Sequence, residues 1–349
     1  MKHEEISISK TATISEALRQ MDKAKRKLLI VINKDNTFFS LISIGDIQRA
    51  IINNKNLKTS IIDILRKEVK VAHVNDNIEG VKKHISIRRN DFMPVIDNNN
   101  NIIKVIFWED LFGEKKKPRQ FDLPVVIMAG GRGARMKPLT NIIPKPLIPI
   151  KEKTIVEDIM DSFIEHGSNK FYLSVNYKAD LIRYYFADKN KNSYNIEYFE
   201  EPKPLGTAGS LSLLNGKISS TFFVSNCDIL IDEDYYEMLE FHKKNQNIAT
   251  VIAAVKQLPI PYGTIKMGKK GKLTRLNEKP ELSLKINTGI YILEPEVLDL
   301  IPTEKFFHIT ELIEKLIKNK ENVGVFPISE GSWVDIGEWG EYYKRIKDV

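Results

Sequence analysis

The chain has 349 residues, of which 42% are hydrophobic and 28% charged, so it is long enough for two domains with real cores. Its formal net charge is +7: residues 1–122 contain 23 Lys and Arg against 16 Asp and Glu, whereas residues 123–349 contain 30 against 30. This modest excess, without aromatic residues interleaved among the basic ones, argues against a nucleic-acid partner.

The single cysteine, Cys227, excludes an intramolecular disulfide. Residues 1–15 lack the apolar core of a signal peptide, and no segment reaches the uninterrupted apolar length of a membrane span. We therefore expect a cytoplasmic protein with no membrane partner.

An internal repeat with an offset of 64 residues occupies the first third of the chain. Residues 29–36 fall on 93–100, and residues 43–47 fall on 107–111. Each copy predicts a helix, a strand, an Asn/Asp-rich turn, a strand and then an Asp that opens a second helix. Neither copy is long enough to bury a good core alone, so we expect the copies, about 1–58 and 59–116, to pack against each other.

The duplicated pattern resembles a tandem pair of CBS domains, an α+β module that often binds adenine nucleotides. Ser43 and Asp46 match the Ser/Thr-x-x-Asp pattern of its ribose contact, whereas in the second copy Phe107 replaces the hydroxyl residue and Asp110 remains. Aspartate also suits a helix N-cap. Both interpretations stay open at Asp46, and the cap is favoured at Asp110. The resemblance implies a regulatory nucleotide and a homodimer.

A charge run with a proline at residues 114–120 predicts an exposed linker, which we place at 117–122. Beyond it, apolar strand-like runs alternate with amphipathic stretches, which favours an α/β sheet with three layers. The strands are expected at 123–128, 170–175, 221–225 and 249–255, and the helices at 154–166 and 234–244.

A glycine-rich run follows the first of these strands. Residues 128–140 read MAGGRGARMKPLT, and residues 144–147 read PKPL. Glycines at this point let the backbone approach a triphosphate, and the nearby cations Arg135 and Lys145 also indicate phosphate binding. A dinucleotide fingerprint would need a third glycine where Met136 stands, and a P-loop would need a Gly-Lys-Ser or Gly-Lys-Thr that is absent from the chain. The remaining alternative is an ordinary strand-to-helix turn.

These segments resemble the signature of sugar-1-phosphate nucleotidyltransferases, and the resemblance extends from residue 123 to residue 349. It implies a Rossmann-like nucleotidyltransferase domain over that range. It also implies that Arg135 stabilises the leaving pyrophosphate and that Lys145 and Lys279 stabilise the transferring and attacking phosphates. The loop would bind the nucleotide through Ala129, Gly130, Gly131 and Gly133.

Two aspartates are candidates for a metal site, because transfer between two anions needs a cation with hard oxygen ligands. Asp228 follows an apolar strand and Asp335 lies in the run Trp-Val-Asp-Ile-Gly; in the similar enzymes these positions hold Mg²⁺. Singly, each could instead be a cap or a turn residue. The family usually has glycine where Cys227 stands, and we expect this cysteine to be a small buried residue rather than a nucleophile.

The sequence Glu278-Lys279-Pro280 resembles the family's sugar-binding motif, in which the lysine pairs with the sugar phosphate and the glutamate meets sugar hydroxyls. A solvent-facing charged turn is the alternative. Weaker matches to further sugar-binding segments of the family are Tyr262, Gly263, Asn287 and Thr288.

The base-recognition segment of the family matches residues 200–209, including Glu201, Gly206 and Thr207. Similar thymidylyl and uridylyl enzymes have glutamine at the Glu201 position. Guanine presents two adjacent donors, and an ionised carboxylate can accept from both, so Glu201 predicts GTP. The alternative is a strand-end charge without a role in base selection.

The CBS pair and the Ser-Asn-Cys-Asp sequence at 225–228 are most similar to glucosamine-1-phosphate guanylyltransferases of legionaminic acid pathways. That resemblance implies transfer of GMP from GTP to the sugar phosphate. One alternative is a mannose- or glucose-1-phosphate nucleotidyltransferase using GTP, dTTP or UTP. Another is a non-catalytic nucleotide sensor or scaffold, which the retention of Arg135, Lys145, Lys279 and both aspartates disfavours.

Overall fold

The structure is a computed structural model that describes residues 3–114, 116–187 and 194–347, so Lys115 of the predicted linker run lies outside it. The chain divides into two compact units. The first comprises Met1–Lys117, Val255–Lys285 and Ser329–Gly331; the second comprises Pro118–Ala254, Ile286–Ile328 and Ser332–Val349. The first unit thus contains a segment from the middle of the range assigned to the nucleotidyltransferase domain. The assignment of functional domains at 1–116 and 123–349 stays a prediction.

The predicted repeat is confirmed by the elements of the first unit. Two three-stranded sheets form, in the orders β1-β2-β3 and β4-β5-β6, each with one parallel and one antiparallel pairing. Helices α1 and α3, and strands β2 and β5, start 64 residues apart. The elements are β1 (Ser7–Ser9), α1 (Ile14–Ala24), β2 (Leu28–Ile32), β3 (Phe38–Ser43), α2 (Ile44–Ile52), β4 (Ala72–His73), α3 (Ile78–Arg88), β5 (Phe92–Ile96), β6 (Ile102–Phe107) and α4 (Trp108–Phe112).

The two copies share a core, as their short length requires. Phe92 and Ile96 of the second copy lie in the same buried cluster as Leu29, Ile42 and Ile47 of the first. The expectation that the copies pack against each other is therefore confirmed.

The remaining elements confirm the α/β alternation. Strands expected at 123–128, 170–175, 221–225 and 249–255 are β7, β10, β12 and β14, and the two expected helices are α5 and α8. The elements are β7 (Val125–Met128), β8 (Pro149–Ile150), β9 (Lys153–Thr154), α5 (Ile155–Glu165), β10 (Lys170–Val175), α6 (Ala179–Phe186), β11 (Asn195–Glu200), α7 (Gly206–Gly209), β12 (Phe222–Asn226), β13 (Ile229–Ile231), α8 (Tyr235–Lys244), β14 (Ala249–Pro259), β15 (Thr264–Met267), β16 (Leu273–Asn277), β17 (Glu281–Leu293), α9 (Ile309–Lys318), β18 (Val323–Ser329), β19 (Trp333–Asp335) and α10 (Trp339–Lys347).

A seven-stranded sheet with the order β11-β10-β7-β12-β17-β14-β18 has a core on each face. Val125 and Ile127 of β7 point into one buried cluster and Val126 into the other, because successive side chains of a strand alternate. Helices α5 and α8 cover the first face, and α9 covers the second. This is the three-layer α/β architecture that the sequence predicts.

The middle segment of the first unit is a β-hairpin. Strands β15 and β16 pair antiparallel, with Ile265 opposite Leu276 and Lys266 opposite Arg275. At its base, the Ile260 amide donates to the carbonyl of Pro280 at 2.9 Å. The hairpin thus presents residues 261–279 as a closed loop on the unit that contains the repeat.

Among the described residues, every helix is too short or too polar to cross a membrane.

Candidate active site

The carboxyl ends of three parallel strands meet at one edge of the seven-stranded sheet. Met128, Ser174 and Asn226 are paired in register at the ends of β7, β10 and β12. Loops that leave parallel strands at such an edge are the usual ligand-binding positions of α/β proteins. The glycine loop and Asp228 both leave the sheet here.

The glycine loop runs from β7 into a short 3₁₀ turn, Ala134–Met136, and α5 begins at Ile155. The loop therefore does not lead directly from a strand into an α-helix, and its phosphate-binding role stays a prediction. Gly133 adopts a left-handed conformation with φ 61°, and its carbonyl accepts a hydrogen bond from the Thr140 hydroxyl at 2.9 Å. A side chain at Gly131 would face open space, as a loop that receives a ligand requires.

The structure brings four of the predicted residues together. The Lys145 ammonium donates to the buried carboxylate of Asp228. The Arg135 guanidinium lies 3.7 Å from Asp228 Oδ2 and 3.6 Å from Asp335 Oδ2. Because 56% of the Arg135 side chain is exposed, its charge is accessible to an anion from solvent.

Gly337 lies at the centre of this cluster. Its amide donates to Asp335 Oδ1 at 2.7 Å, and a Cβ added there would be 2.5 Å from Asp228 Oδ2 and 2.6 Å from Lys145 Nζ. Real Cβ atoms do not approach other atoms so closely, so any side chain there would force the end of Asp228, Lys145 or Asp335 to shift. Burial, and then the negative charge of Asp228, raise the pKa of Asp335. That repulsion would be relieved by a cation.

The two carboxylates fit a magnesium ion. Mg²⁺ is usually held by one or two protein carboxylates and completes its shell with water and phosphate oxygens. No group of three or more His, Cys, Asp or Glu side chains in the described part of the chain could hold a metal by itself. Oxygens of the substrate would therefore have to complete a site at Asp228 and Asp335.

Cys227 lies in the core beside the site. Burial, followed by the neighbouring charge of Asp228, raises the pKa of its thiol to about 12. A thiol in this state is a poor nucleophile at neutral pH. The expectation of a small buried residue is confirmed.

Glu201 lies against the glycine loop and only 7% of it is exposed. Ser174 donates to its Oε1, the amide of Leu205 donates to its Oε2 at 2.9 Å, and a Cβ at Gly130 would be 2.7 Å from Oε1. Glu201 is thus buried beside the loop rather than a solvated strand-end charge. Each carboxylate oxygen accepts one of these hydrogen bonds and has capacity for a second.

Gly206 and Thr207 pack against the chain before α9. Gly206 faces the carbonyl of Phe307, and the Thr207 hydroxyl accepts a hydrogen bond from the amide of Ile309 at 3.0 Å. These contacts give both residues a role in packing. Their role in nucleotide binding stays a prediction.

Asn287 and Thr288 lie in β17 within the second unit. Asn287 is exposed, and its side-chain amide donates to the Tyr291 hydroxyl at 2.7 Å. Thr288 is only 2% exposed, and its hydroxyl donates to the carbonyl of Ile252 at 2.8 Å. Asn287 is therefore accessible to a sugar, whereas the Thr288 hydroxyl is already hydrogen-bonded inside the sheet.

The other predicted sugar contacts lie on the hairpin of the first unit. Tyr262, Gly263, Glu278 and Lys279 are all exposed, Tyr262 to 74%. Glu278 lies close to Gly263, since a Cβ at Gly263 would be 3.1 Å from Glu278 Oε2. The four residues are therefore gathered at the base of one hairpin.

The predicted regulatory residues lie in the first unit. The Asp46 carboxylate accepts from the Ser43 amide at 2.9 Å and from the Ser43 hydroxyl at 2.7 Å, forming a capping box at the start of α2. Burial alone would raise its pKa, but hydrogen bonds from Arg66 and Ser43 lower the pKa of Asp46 overall. The amide of Phe107 likewise donates to the Asp110 carboxylate at 3.0 Å. The N-cap interpretation of the two aspartates is therefore wrong in position: the N-cap residues are Ser43 and Phe107, and Asp46 and Asp110 lie three residues later, where each carboxylate accepts from the backbone amide of the N-cap residue.

A cavity of about 190 Å³ lies beside this cap. Its lining is mixed: apolar side chains such as Leu28 lie beside the acidic Asp46 and Glu68 and the basic Arg66, Lys70 and Arg88. The ligand role of Asp46, which the cap does not exclude, stays a prediction.

Three residues of the site were missed by the sequence interpretation. Gly337 touches both aspartates, Glu338 Oε1 lies 3.1 Å from Arg135, and Ser174 hydrogen-bonds Glu201. Gly337 and Glu338 directly follow the Asp335 run, which was a usable signal. No pattern within residues 170–175 indicated a role for Ser174.

Models of two known protein families match most of the chain. The model of the nucleotidyl transferase family matches residues 124–349, and that of the CBS domain matches residues 1–53. A mannose-1-phosphate guanyltransferase of Yarrowia lipolytica is 37% identical over 221 residues, covering 61% of this chain and 60% of that protein. A UTP–glucose-1-phosphate uridylyltransferase of Synechocystis sp. is 33% identical over 247 residues, covering 65% and 63%. The chain spans about three-fifths of the length of these curated relatives.

Solved structures show the same fold. HddC from Yersinia pseudotuberculosis, in a complex with GMP-PN, matches with a TM-score of 0.51 and 27% identity, over 65% of this chain and 99% of that one. A putative glucose-1-phosphate thymidylyltransferase from Bacillus anthracis, in complex with a sucrose, matches with a TM-score of 0.52 and 18% identity, over 65% and 94%.

Proposed function

Because the chain belongs to the nucleotidyl transferase family, we propose that it transfers GMP from GTP to a sugar-1-phosphate, giving a GDP-sugar and pyrophosphate. The observation that carries this proposal is the cluster of Arg135, Lys145, Asp228 and Asp335 beside the glycine loop. Glucosamine-1-phosphate is the proposed acceptor, on the sequence resemblance, for surface-glycan or legionaminic acid biosynthesis.

The proposed reaction needs charge stabilisation rather than proton transfer. A sugar phosphate is already ionised at neutral pH, so its oxygen can attack the α-phosphorus without a general base. Arg135 would bind the leaving pyrophosphate, and Lys145 the transferring phosphate. A bound Mg²⁺ would neutralise phosphate charge, with Asp228 and Asp335 as its protein ligands.

The choice of GTP rests on Glu201. Its buried carboxylate lies against Gly130 of the loop and keeps acceptor capacity on both oxygens. The ring N–H and amino group of guanine are adjacent donors that match such an acceptor pair. A glutamine there would present one donor and one acceptor, a pattern suited to a pyrimidine.

Pyrophosphate release tests the proposal. The full chain would be assayed with Mg²⁺, glucosamine-1-phosphate and each of GTP, dTTP, UTP, CTP and ATP, with mannose- and glucose-1-phosphate as competing acceptors. Preference for GTP that moves toward a pyrimidine nucleotide in Glu201→Gln supports the account of the base. Preference of the wild type for a pyrimidine nucleotide contradicts that account but not the reaction class. Silence across the panel favours the sensor or scaffold alternative.

We also propose a regulatory nucleotide site at the cavity beside Asp46. Its basic side chains, Arg66, Lys70 and Arg88, suit phosphate groups, and the Ser43–Asp46 pair suits a ribose. Titration calorimetry with AMP, ADP and ATP would test it, with Asp46→Ala compared against Asp110→Ala, which removes the equivalent cap of the second copy. Equal binding by both variants would contradict the site. The homodimer and the cytoplasmic location stay predictions.

A further inference from the structure

One polar stripe of α1 contacts three separate segments of the chain within the first unit. Ser15, Arg19 and Asp22 are spaced four and three residues apart, so they share one face of the helix. An adjacent face, which includes Ile14, Leu18 and Met21, is buried in the core of the repeat. The helix is therefore held by the repeat and has a polar face available for other contacts.

The first two residues of this stripe hold both strands that lead into the hairpin. The Ser15 hydroxyl donates to Gln257 Oε1 of β14 at 2.6 Å. The Arg19 guanidinium donates to Gln257 Oε1 and to Glu281 Oε1 of β17, each at 2.5 Å. Arg19 thus bridges the entry strand and the exit strand of the hairpin.

The third residue anchors the segment that lies beside β14. Asp22 accepts from the Ser329 hydroxyl at 2.7 Å and from the Gly331 amide at 3.2 Å. Glu330 lies between Ser329 and Gly331 in the chain, and its carboxylate accepts from the backbone amide of Gln257 at 3.4 Å. The contacts of α1 with β14 are therefore braced by a second connection.

The bridge lies next to residues predicted to bind the sugar phosphate. Glu281 follows Glu278 by three residues and Lys279 by two, and Lys279 has the constrained left-handed φ of 41°. Residues 255–285 contain eight Lys and Arg but only two acidic residues, Glu278 and Glu281. Arg19 binds Glu281, and Glu278 is predicted to contact the sugar.

We propose that Arg19 is a positioning residue for the sugar-phosphate side of the reaction: from the first repeat, it fixes the base of the hairpin that presents Glu278 and Lys279. This rests on the proposed function, because it assigns the hairpin to the sugar phosphate. It also gives a physical path from the repeat, where we propose the regulatory nucleotide site, to the hairpin, since α1 belongs to the core of that repeat.

The test compares Arg19→Met with Lys23→Met, which removes a positive charge from an exposed position of the same helix. Loss of this partly exposed ion pair should raise the KM for the sugar phosphate about three- to fivefold, with kcat and the KM for GTP unchanged within about twofold. Lys23→Met should leave all three unchanged. The reversed pair, Arg19→Glu with Glu281→Arg, should restore part of the loss.

Hydrogen exchange of the amides at 260–280 gives a readout that needs no activity. Arg19→Met should speed this exchange and Lys23→Met should not, even if no nucleotide or sugar phosphate proves to be a substrate. Faster exchange without turnover of any substrate supports the positioning contact and contradicts only the proposed function. Unchanged exchange, or an equal rise in both KM values, overturns the proposal. Should Arg19→Met fail to fold, Glu281→Met removes the acceptor of the same bridge and carries the same expectations.

Discussion

The two compact units carry opposite charge. The unit that contains the repeat and the hairpin has 30 Lys and Arg against 18 Asp and Glu, an excess of 12 positive charges. The other unit has 23 against 28, an excess of five negative charges. The neutrality of residues 123–349 is therefore the sum of a basic hairpin and an acidic remainder.

This difference follows the division of chemistry that we propose. The acidic unit holds the aspartate pair with Arg135 and Lys145, a set suited to a metal ion and a nucleotide. The basic unit holds Lys279 on a hairpin whose excess charge would attract an anionic sugar phosphate. Variants in one unit should therefore change metal or nucleotide use, and variants in the other should change sugar-phosphate use.

The largest effect is expected from Asp228→Asn in the acidic unit. Removing one carboxylate should lower kcat about 10³-fold or more, because the metal would lose one of its two protein ligands and Lys145 its buried partner. Asp180→Asn, which removes a fully exposed acid from the same unit, should leave kcat unchanged. Steady-state pyrophosphate release at saturating Mg²⁺ measures both. Near-normal turnover of Asp228→Asn would contradict the proposal that Asp228 binds the metal ion.

A smaller loss is expected from Gly337→Ala. A methyl group there would displace Asp228, Lys145 or Asp335, and a displacement of about 1 Å at such a site costs about 10²-fold in kcat. Gly340→Ala is the matched control, since a Cβ at Gly340 meets no atom within 4 Å and alanine favours the helix α10. Equal kinetics for the two variants would show that the tight approach at Gly337 does not matter for catalysis.

In the basic unit, Lys279→Met should raise the KM for the sugar phosphate about tenfold while changing the KM for GTP little. Lys270→Met is the control, because Lys270 is also an exposed, left-handed lysine of the hairpin segment. A similar rise in both variants would mean that the general charge of the hairpin, rather than Lys279, binds the phosphate.

The smallest effect concerns stability. A carboxyl with a raised pKa binds its proton more tightly in the folded chain, so its contribution favours folding at low pH and is lost as the pH rises through the folded pKa. In metal-free buffer at pH 7, Asp335→Asn should therefore keep the wild-type Tm or exceed it slightly. The difference should vanish well below the unfolded pKa of about 3.9, where the carboxyl is protonated in both states. A Tm well below wild type at pH 7 would contradict the account of Asp335.

Local patterns of the sequence were sufficient for the elements and for four residues that the structure gathers at the candidate site: Arg135, Lys145, Asp228 and Asp335. The run Lys170–Val175 is buried on both faces and forms β10 with the predicted bounds, and the offset of 64 residues reappears in α1 and α3. The glycine loop and Asp228 leave the sheet at one edge because strand order and register place them there.

Contacts between distant residues were not predictable from those patterns. The hairpin belongs to the compact unit of the repeat, where Arg19 contacts Glu281, 262 positions away. No signal within either segment indicates that contact. Likewise, Thr288 lies in a matching motif, but its hydroxyl is engaged by Ile252 of a neighbouring strand, which only the sheet order brings beside it.

The most direct test of the central claim is pyrophosphate release by the full chain with GTP, glucosamine-1-phosphate and Mg²⁺, repeated with each component omitted in turn. The account predicts release only when all three are present, with one GDP-sugar formed for each pyrophosphate. Release that persists without the sugar phosphate, or none with any nucleoside triphosphate and sugar phosphate, would contradict it.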